Sequence, residues 1–365
     1  MANLFGKNKL REIAEAIDTD SVQDFIAVVK NWQQDYHNGS LKKDKETSRE
    51  QQYNRDFFLD ILGYKEKPVS PFSFEPKATT DKGQLPDAVI SYTDTANDIR
   101  NIAAVVELKG ASIDLDRPQR REGNMSPVQQ GFKYKTQYRS VPFVIVSNFW
   151  EFRLYHDNLL DYEVWTLDDL VNPDDDYLLF KTWYALLKKD SFTTPKGTSK
   201  TEAILSDIRI EQENIGKKFY KVYKEARTEL LRDIYKHNDY IKTDIDTGIE
   251  KAQKIIDRIV FAAFAEDRGL LPDNTLLRVI QAADSSVFGG SLWNTLKGFF
   301  EAIDVGSDKL EIPNGYNGGL FKHDEVLNNL QISDEPLRKV VELGTYNFAD
   351  DLSVNILGHI FEQSI

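Results

Sequence analysis

Hydrophobic and polar positions follow two different periods along this chain. Leu10, Ile13 and Ile17 are three or four residues apart, which is the spacing of one face of an amphipathic helix. Residues 1–48 are therefore predicted to be helical. The same spacing returns from residue 204 onward, and it predicts a second helical region there.

Between these regions, apolar residues form short runs that are typical of strands. Residues 87–92 are rich in β-formers, and residues 101–110 and 141–148 are near-continuous apolar runs. Runs of this kind predict buried central strands. Residues 151–155 alternate between polar and apolar, which predicts a further strand. We expect a mixed α/β core over residues 50–188.

A helix is predicted directly before this core. Glu50, Asn54 and Ile61 recur at helical spacing, and Gly63 is a typical C-terminal stop. The lysine-rich residues 41–49 are expected to form a loop that leads into this helix.

Residues 191–203 are polar and contain Ser, Thr, Gly and Pro, which favours a linker. The sequence thus predicts an α/β domain over 1–190 and an all-α domain over 204–365. In the second domain, an apolar stripe follows helical spacing and is expected to pack in the core, with a partner surface as the alternative. The stripe comprises Phe219, Val222, Tyr223, Ala226, Leu230 and Ile234.

Composition excludes several classes of protein. The 365 residues carry a formal net charge of −13 and no cysteine, which rules out disulfides and cysteine-ligated zinc. The five histidines are scattered without metal-ligand spacing. No segment approaches the roughly 18–20 apolar residues of a membrane span, and the first residues lack the apolar core of a signal peptide. We expect a cytoplasmic protein that does not contact membranes.

The most informative polar residues lie at the ends of two predicted strands. Asp87 begins one strand, and Glu107 and Lys109 end the next. Because side chains alternate along a strand, Glu107 and Lys109 are expected on one face, roughly 7 Å apart. Asp87 and Glu107 would bind a hard divalent cation such as Mg²⁺, and a lysine beside them would position or deprotonate water. A surface ion pair is the alternative for these residues.

Three further features support a site in this region. Gln130 and Tyr134 are four residues apart in a predicted helix and so share a face. Glu50 on the preceding helix is a further candidate acid, with a solvated glutamate as the alternative. Residues 117–139 contain six basic residues and one acid, a local charge reversal that indicates a phosphate-binding surface, with a solvated helix face as the alternative. The basic residues are Arg117, Arg120, Arg121, Lys133, Lys135 and Arg139.

The ordered set of motifs resembles the PD-(D/E)XK nuclease superfamily, with the Gln-x-x-x-Tyr variant of restriction-modification and RecB-like nucleases. The motifs that carry the resemblance are the Glu50 helix, Pro86 and Asp87, Glu107-Leu-Lys109, Gln130-x-x-x-Tyr134 and the strand at 142–148. The resemblance implies a mixed sheet with flanking helices and Mg²⁺-dependent hydrolysis of double-stranded DNA, with Mn²⁺ as a substitute. It also implies that Asp87 and Glu107 are metal ligands and that Lys109 orients the attacking water. Gln130 and Tyr134 would steady the site or the DNA backbone.

A second resemblance covers the C-terminal half. Residues 255–272, 316–321 and 356–362 are similar to the helical connector that precedes the adenine methyltransferase domain in single-chain, type IIG-like restriction-modification enzymes. These 365 residues contain no glycine-rich S-adenosylmethionine loop, no Asn-Pro-Pro-Tyr-like motif and no P-loop. We therefore expect the N-terminal portion of a longer parent, in which methyltransferase and target-recognition domains follow and S-adenosylmethionine is bound.

Three alternatives remain open from the sequence. A degenerate nuclease fold could serve as a DNA-binding or interaction scaffold. A different hydrolase could use paired carboxylates on sugars, which requires neither metal nor lysine. The helical half could bind a partner protein. The net charge of −13 predicts weak DNA binding by this chain alone, which fits a cleavage module that other domains deliver to DNA and also fits a protein that does not bind DNA.

Overall fold

The structure is a computed structural model, and it describes residues 4–79, 85–94, 98–120, 123–285, 291–312, 314–316, 318–348 and 358. The chain divides into two compact units, Met1–Ile208 and Arg209–Ile365. The first unit combines a six-stranded sheet with helices, and the described part of the second unit contains helices and loops. An α/β unit is thus followed by an α-helical unit, in agreement with the fold class that the sequence predicts.

The first unit begins with helices, as the apolar spacing predicts. Its helices are α1 (Lys7–Glu15), α2 (Gln23–His37), α3 (Ser40–Lys43), α4 (Glu46–Tyr53), α5 (Pro127–Lys135), α6 (Leu167–Leu170), α7 (Leu178–Leu187) and α8 (Lys189–Phe192). A 3₁₀ helix spans Thr19–Val22, and a π-helix spans Asn54–Ile61 directly after α4. Gly63 follows with a positive φ of 77°, a conformation that glycine adopts without steric cost.

The six strands lie in the sheet in sequence order. They are β1 (Phe74–Pro76), β2 (Ala88–Asp94), β3 (Ile99–Leu108), β4 (Phe143–Ser147), β5 (Glu151–Tyr155) and β6 (Tyr162–Thr166). Among these described strands, β3 and β4 pair in parallel, and the other neighbouring pairs are antiparallel. The parallel pair requires a crossover, and α5 lies in that connection.

The two faces of the sheet are buried differently. One face carries Ala104, Val106 and Leu108 of β3 into the main hydrophobic core. The opposite face carries Val144 and Val146 of β4 into a smaller cluster, which α5 covers. Because side chains alternate along β3, Glu107 belongs to the α5 side of the sheet.

Two local predictions differ from the structure. The expected loop at 41–49 is largely helical, since α3 ends at Lys43 and α4 begins at Glu46. The expected linker at 191–203 lies within the first unit, where the hydroxyl of Thr201 donates to the Leu186 carbonyl oxygen at 2.5 Å. The small polar side chains of this segment donate hydrogen bonds to backbone carbonyl oxygens. The segment is therefore partly buried although its composition is typical of a linker.

The second unit is formed by the C-terminal part of one long helix and by shorter helices. These are α9 (Lys200–His237), α10 (Ile245–Asp267), α11 (Thr275–Asp284), α12 (Leu292–Val305), α13 (Glu325–Asn329) and α14 (Asp334–Glu342), with 3₁₀ turns at Asp239–Ile241, Asp308–Leu310 and Leu343–Thr345. The apolar stripe on α9 packs in the core of this unit, with only Val222 partly exposed. The motif at 356–362 lies outside the described residues, apart from Gly358. None of the described helices is both long and apolar enough to cross a membrane.

Candidate active site

Two carboxylates meet where β2 begins and β3 ends. Ala88 pairs with Val106 in the antiparallel register, which places Asp87 beside Glu107. The Asp87 carboxylate accepts a hydrogen bond from the Leu108 backbone N–H at 2.7 Å. This bond to the neighbouring strand fixes Asp87 in place, with about a seventh of its side chain exposed.

Lys109 directly follows the last residue of β3, and its side chain lies at the same site. Its ammonium hydrogen-bonds the Glu107 carboxylate and lies 3.8 Å from Asp87 Oδ2. Its backbone N–H donates to the Ser147 carbonyl oxygen at 2.8 Å, which extends the pairing with β4 beyond the strand. The structure therefore brings Asp87, Glu107 and Lys109 together.

A second lysine joins this group from the other side. Lys77 Nζ lies 2.5 Å from Asp87 Oδ1 and 3.0 Å from Glu50 Oε1. Its backbone N–H donates to the Asp87 carbonyl oxygen at 2.8 Å, and its φ is +50°, an uncommon conformation for a residue other than glycine. Lys77 thus links Glu50 on α4 to Asp87 on the sheet.

Lys77 was missed by sequence reasoning. It is one lysine in a loop outside every motif, and its position depends on the pairing of β1 with β2. Lys77 directly follows Pro76, the last residue of β1. This position would indicate Lys77 from the sequence only if β1 were recognised as a strand of three residues.

The electrostatics of the site centre on Glu107, which is 2% exposed. Burial and the negative charge of Asp87 raise the pKa of Glu107 to about 8, although Lys109 opposes the shift. Burial alone would lower the pKa of Lys77, but its bonds to Asp87 and Glu50 raise it above the usual value. Any further positive charge beside a buried carboxyl with a raised pKa favours its ionised form.

Helix α5 covers this face of the sheet at close range. Ser126 caps its N-terminus and forms a reciprocal pair of hydrogen bonds with Gln129. Gly131 has no side chain at the contact, since a Cβ there would lie 2.7 Å from Val144 Cγ1 and 3.8 Å from the Cβ of Glu107. The absence of a side chain at Gly131 lets the helix backbone approach the strand that carries Glu107.

The two polar residues of α5 differ in exposure. Gln130 is buried, and its side-chain amide donates a long hydrogen bond of 3.5 Å to the Met125 carbonyl oxygen. Tyr134 is half-buried. Both lie on the helix that contacts β3, but no described hydrogen bond joins Gln130 to Asp87, Glu107 or Lys109.

The six basic residues predicted between positions 117 and 139 are called the basic strip. Some of their side chains are exposed, and one binds backbone carbonyl oxygens. The exposed members are Arg117, Arg120, Lys133 and Arg139. Lys135 instead donates to the Pro142 carbonyl oxygen at 2.8 Å and to that of His156, so it ties α5 to the neighbouring strands. Arg121 lies outside the described residues.

The donor set suits a hard divalent cation. Asp87, Glu107 and Glu50 supply carboxylate oxygens, the ligands that Mg²⁺ prefers. Within the described ranges, no cluster of three or more His, Cys, Asp or Glu side chains is arranged to hold a metal. Mg²⁺ commonly takes only one or two protein carboxylates and completes its shell with water and substrate phosphates, so Asp87 and Glu107 are sufficient in number.

No protein-family model, curated protein or solved structure matches the chain significantly.

Proposed function

We propose that the first unit is a Mg²⁺-dependent DNA endonuclease of the PD-(D/E)XK type. The observation that carries this proposal is the convergence of Asp87, Glu107 and Lys109 at the adjoining ends of β2 and β3. Two acids and a lysine at one point match the chemistry of phosphodiester cleavage.

Asp87 and Glu107 would hold the cation, and Glu50 lies close enough to Lys77 and Asp87 to contribute to the same negative region. When bound, Mg²⁺ or Mn²⁺ supplies positive charge to the phosphate that is cleaved. The two carboxylates supply the negative charge that retains the cation beside that phosphate.

Protein side chains around the cation site would position the water and the DNA. Lys109 hydrogen-bonds Glu107 and would orient the attacking water. The exposed Arg117 and Arg120 would bind backbone phosphates, which adds affinity without sequence recognition. Gln130 and Tyr134 on α5 would steady the DNA backbone or the site.

The biological context that fits this module is a restriction-modification enzyme of type IIG. The second unit would then be the helical connector, and methyltransferase and target-recognition domains would be its partners in the longer parent. S-adenosylmethionine would bind to the parent only. The net charge of −13 predicts weak DNA binding by this chain alone, so such domains would have to deliver it to double-stranded DNA.

Calorimetric titration with Mg²⁺ and Mn²⁺ tests the metal site directly. The full chain should bind the cation, and Asp87→Ala and Glu107→Ala should each abolish the binding heat. A titration in which both variants bind as the natural chain does would remove these carboxylates from the metal site.

A second candidate function is an inactive scaffold with a nuclease-like fold. The observation that favours it is that the ammonium groups of Lys77 and Lys109 already occupy Asp87 and Glu107. A scaffold would bind DNA without any metal-dependent cleavage, and the loss of either lysine would alter its stability alone.

A further inference from the structure

Helix α9 carries a run of lysines in its part that belongs to the second unit. Residues 214–224 contain four lysines and no acidic residue, although the formal net charge of the chain is −13. The four side chains are exposed, and they are Lys217, Lys218, Lys221 and Lys224. A local reversal of charge of this kind creates a surface that attracts an anionic partner.

The lysines lie on the side of α9 that faces solvent. Exposed polar residues recur at intervals of three or four along this helix and therefore share one face. We call this set the basic face, and it comprises Lys217, Lys221, Lys224, Thr228 and Arg232. The apolar stripe from Phe219 to Ile234 packs in the core of the second unit, on the opposite side of the helix. At 1.5 Å per residue, the basic face is about 22 Å long.

The lysines of the basic face repel one another. Among the described residues, Lys217, Lys221 and Lys224 form no ion pair with an acid. Lys217 and Lys221 are four residues apart, and Lys221 and Lys224 are three apart, so like charges are neighbours on the helix surface. Like charges at this spacing disfavour a helix. An anion that lies across the face would remove this repulsion.

A groove of about 360 Å³ lies along the basic face. Lys221, Lys224 and Arg232 line it, together with two acids, Glu225 and Glu229. Glu229 pairs with a lysine of α14, Lys339, at 2.5 Å, so its negative charge is matched. Glu225 then stands against three cations, and the described lining of the groove has a net positive charge.

We propose that the basic face binds the phosphate backbone of double-stranded DNA, as a contact separate from the cleavage site of the first unit. The choice of DNA rests on the nuclease function proposed above. The side chains of the face also fit a nucleic acid better than a protein, because lysine is depleted at the cores of protein–protein interfaces and protein–DNA interfaces are strongly positive. Ammonium and hydroxyl groups bind phosphate oxygens without reading the bases, so binding should not depend on DNA sequence.

The test measures fluorescence anisotropy of two labelled duplexes of unrelated sequence with the full chain, in EDTA and over a range of salt concentrations. The natural chain should bind both duplexes with the same salt slope. The triple variant Lys217→Gln/Lys221→Gln/Lys224→Gln should lower that slope by about two to three and weaken binding at low salt by about tenfold or more. A natural chain that binds neither duplex would overturn the proposal.

A second triple variant controls for the loss of three positive charges. Lys242→Gln/Lys309→Gln/Lys322→Gln replaces three exposed lysines of the same unit and should keep the natural slope. An equal fall in slope for both triple variants would show that only net charge matters, and it would overturn the assignment to α9.

The stability of the α9 variant separates a binding role from a structural one. Glutamine has a helix propensity close to that of lysine, and the substitutions remove the repulsion between like charges. The urea midpoint of the α9 triple variant should therefore not fall. A lower midpoint with an unchanged salt slope would make these lysines structural and contradict the proposal.

Poly-L-glutamate distinguishes DNA from an acidic protein partner. As a competitor at equal concentration of negative charge, it should displace the labelled duplex from the natural chain less effectively than unlabelled duplex does. Equal or better displacement by poly-L-glutamate would assign the basic face to an acidic polypeptide and overturn the choice of DNA.

The outcome remains distinct from that of the nuclease proposal. Asp87→Ala should lose cleavage and retain both DNA binding and the natural salt slope in EDTA. DNA binding through the basic face by a chain that never cleaves would contradict the nuclease function and leave the basic face assigned. Metal-dependent cleavage with an unchanged salt slope in the α9 triple variant would overturn the basic-face proposal alone.

Discussion

The ammonium of Lys77 lies 2.5 Å from the Asp87 carboxylate, on the same acidic group that is proposed to hold the divalent cation. The ammonium and the cation therefore compete for one carboxylate. Because Lys77 also contacts Glu50 at 3.0 Å, its positive charge lowers the negative potential of the whole site. A cation that binds Asp87 must displace this ammonium or bind against its electrostatic repulsion.

Lys77→Gln should therefore increase the affinity for Mg²⁺ by about tenfold, equivalent to about 1.4 kcal/mol. The measurement is a calorimetric titration of both proteins at the same ionic strength. Lys67→Gln is the matched control, because Lys67 pairs with Glu75 at 2.7 Å and takes no part in the site. Reduced or unchanged Mg²⁺ affinity in Lys77→Gln would show that the ammonium does not compete with the metal.

The raised pKa of Glu107 predicts a pH-dependent metal affinity. A carboxyl whose pKa is about 8 holds a proton at neutral pH, and that proton must leave before a cation binds. Apparent Mg²⁺ affinity should thus rise by up to about tenfold per pH unit below pH 8 and level off above it. Calorimetry in buffers of different ionisation heat measures the released proton.

Glu107→Gln supplies the control for this pH dependence, since it has no proton to release. Any residual metal binding in this variant should lose the slope that Glu107 causes. An affinity in the natural chain that does not change with pH in this range would contradict a protonated Glu107.

The close contact between α5 and the sheet predicts opposite effects for two glycine substitutions. Gly131→Ala places a Cβ 2.7 Å from Val144 Cγ1, and overpacking of this kind costs about 1–3 kcal/mol. Gly298→Ala in α12 meets nothing within 4 Å and should stabilise the chain by about 0.5–1 kcal/mol. Urea unfolding measures both. Equal stabilisation by the two substitutions would show that α5 does not lie this close to β4.

The basic strip predicts a difference in salt dependence. Arg117 and Arg120 are exposed, so replacement of either by Gln should lower the salt slope of DNA binding by about one. Lys135→Gln should reduce stability instead, because its ammonium binds backbone carbonyl oxygens. Fluorescence anisotropy at several salt concentrations measures the slope. A change in slope for Lys135→Gln alone would reverse the assignment of these residues.

The sequence predicted those strands that its apolar runs define. β5 begins and ends where alternation places it, at Glu151 and Tyr155, and β3 ends one residue before Lys109. The two outer strands were missed. β1 has only three residues, and β6 buries the polar Glu163 while Val164 stays partly exposed, so its apolar pattern does not show which face is buried.

The candidate site was predictable in part for a related reason. Asp87, Glu107 and Lys109 lie next to strong strand signals, and the antiparallel register brings the acids together. The position of Lys77 depends on tertiary contacts with Asp87 and Glu50, which lie in other segments of the chain. The π-helix gives no periodic signal that differs clearly from that of an α-helix, and the sequence predicted a single helix across Glu50 and Ile61.

Nicking of supercoiled plasmid by the full chain tests the central claim most directly. We predict slow nicking with Mg²⁺ or Mn²⁺ and none in EDTA. Asp87→Ala, Glu107→Ala and Lys109→Ala should each reduce the rate by at least about 100-fold while circular dichroism and urea unfolding show an intact fold. Asp94→Ala, at the far end of β2, should retain the natural rate. Nicking that survives all three substitutions, or a chain that binds DNA and never nicks it in either metal, would contradict a nuclease site at Asp87 and Glu107.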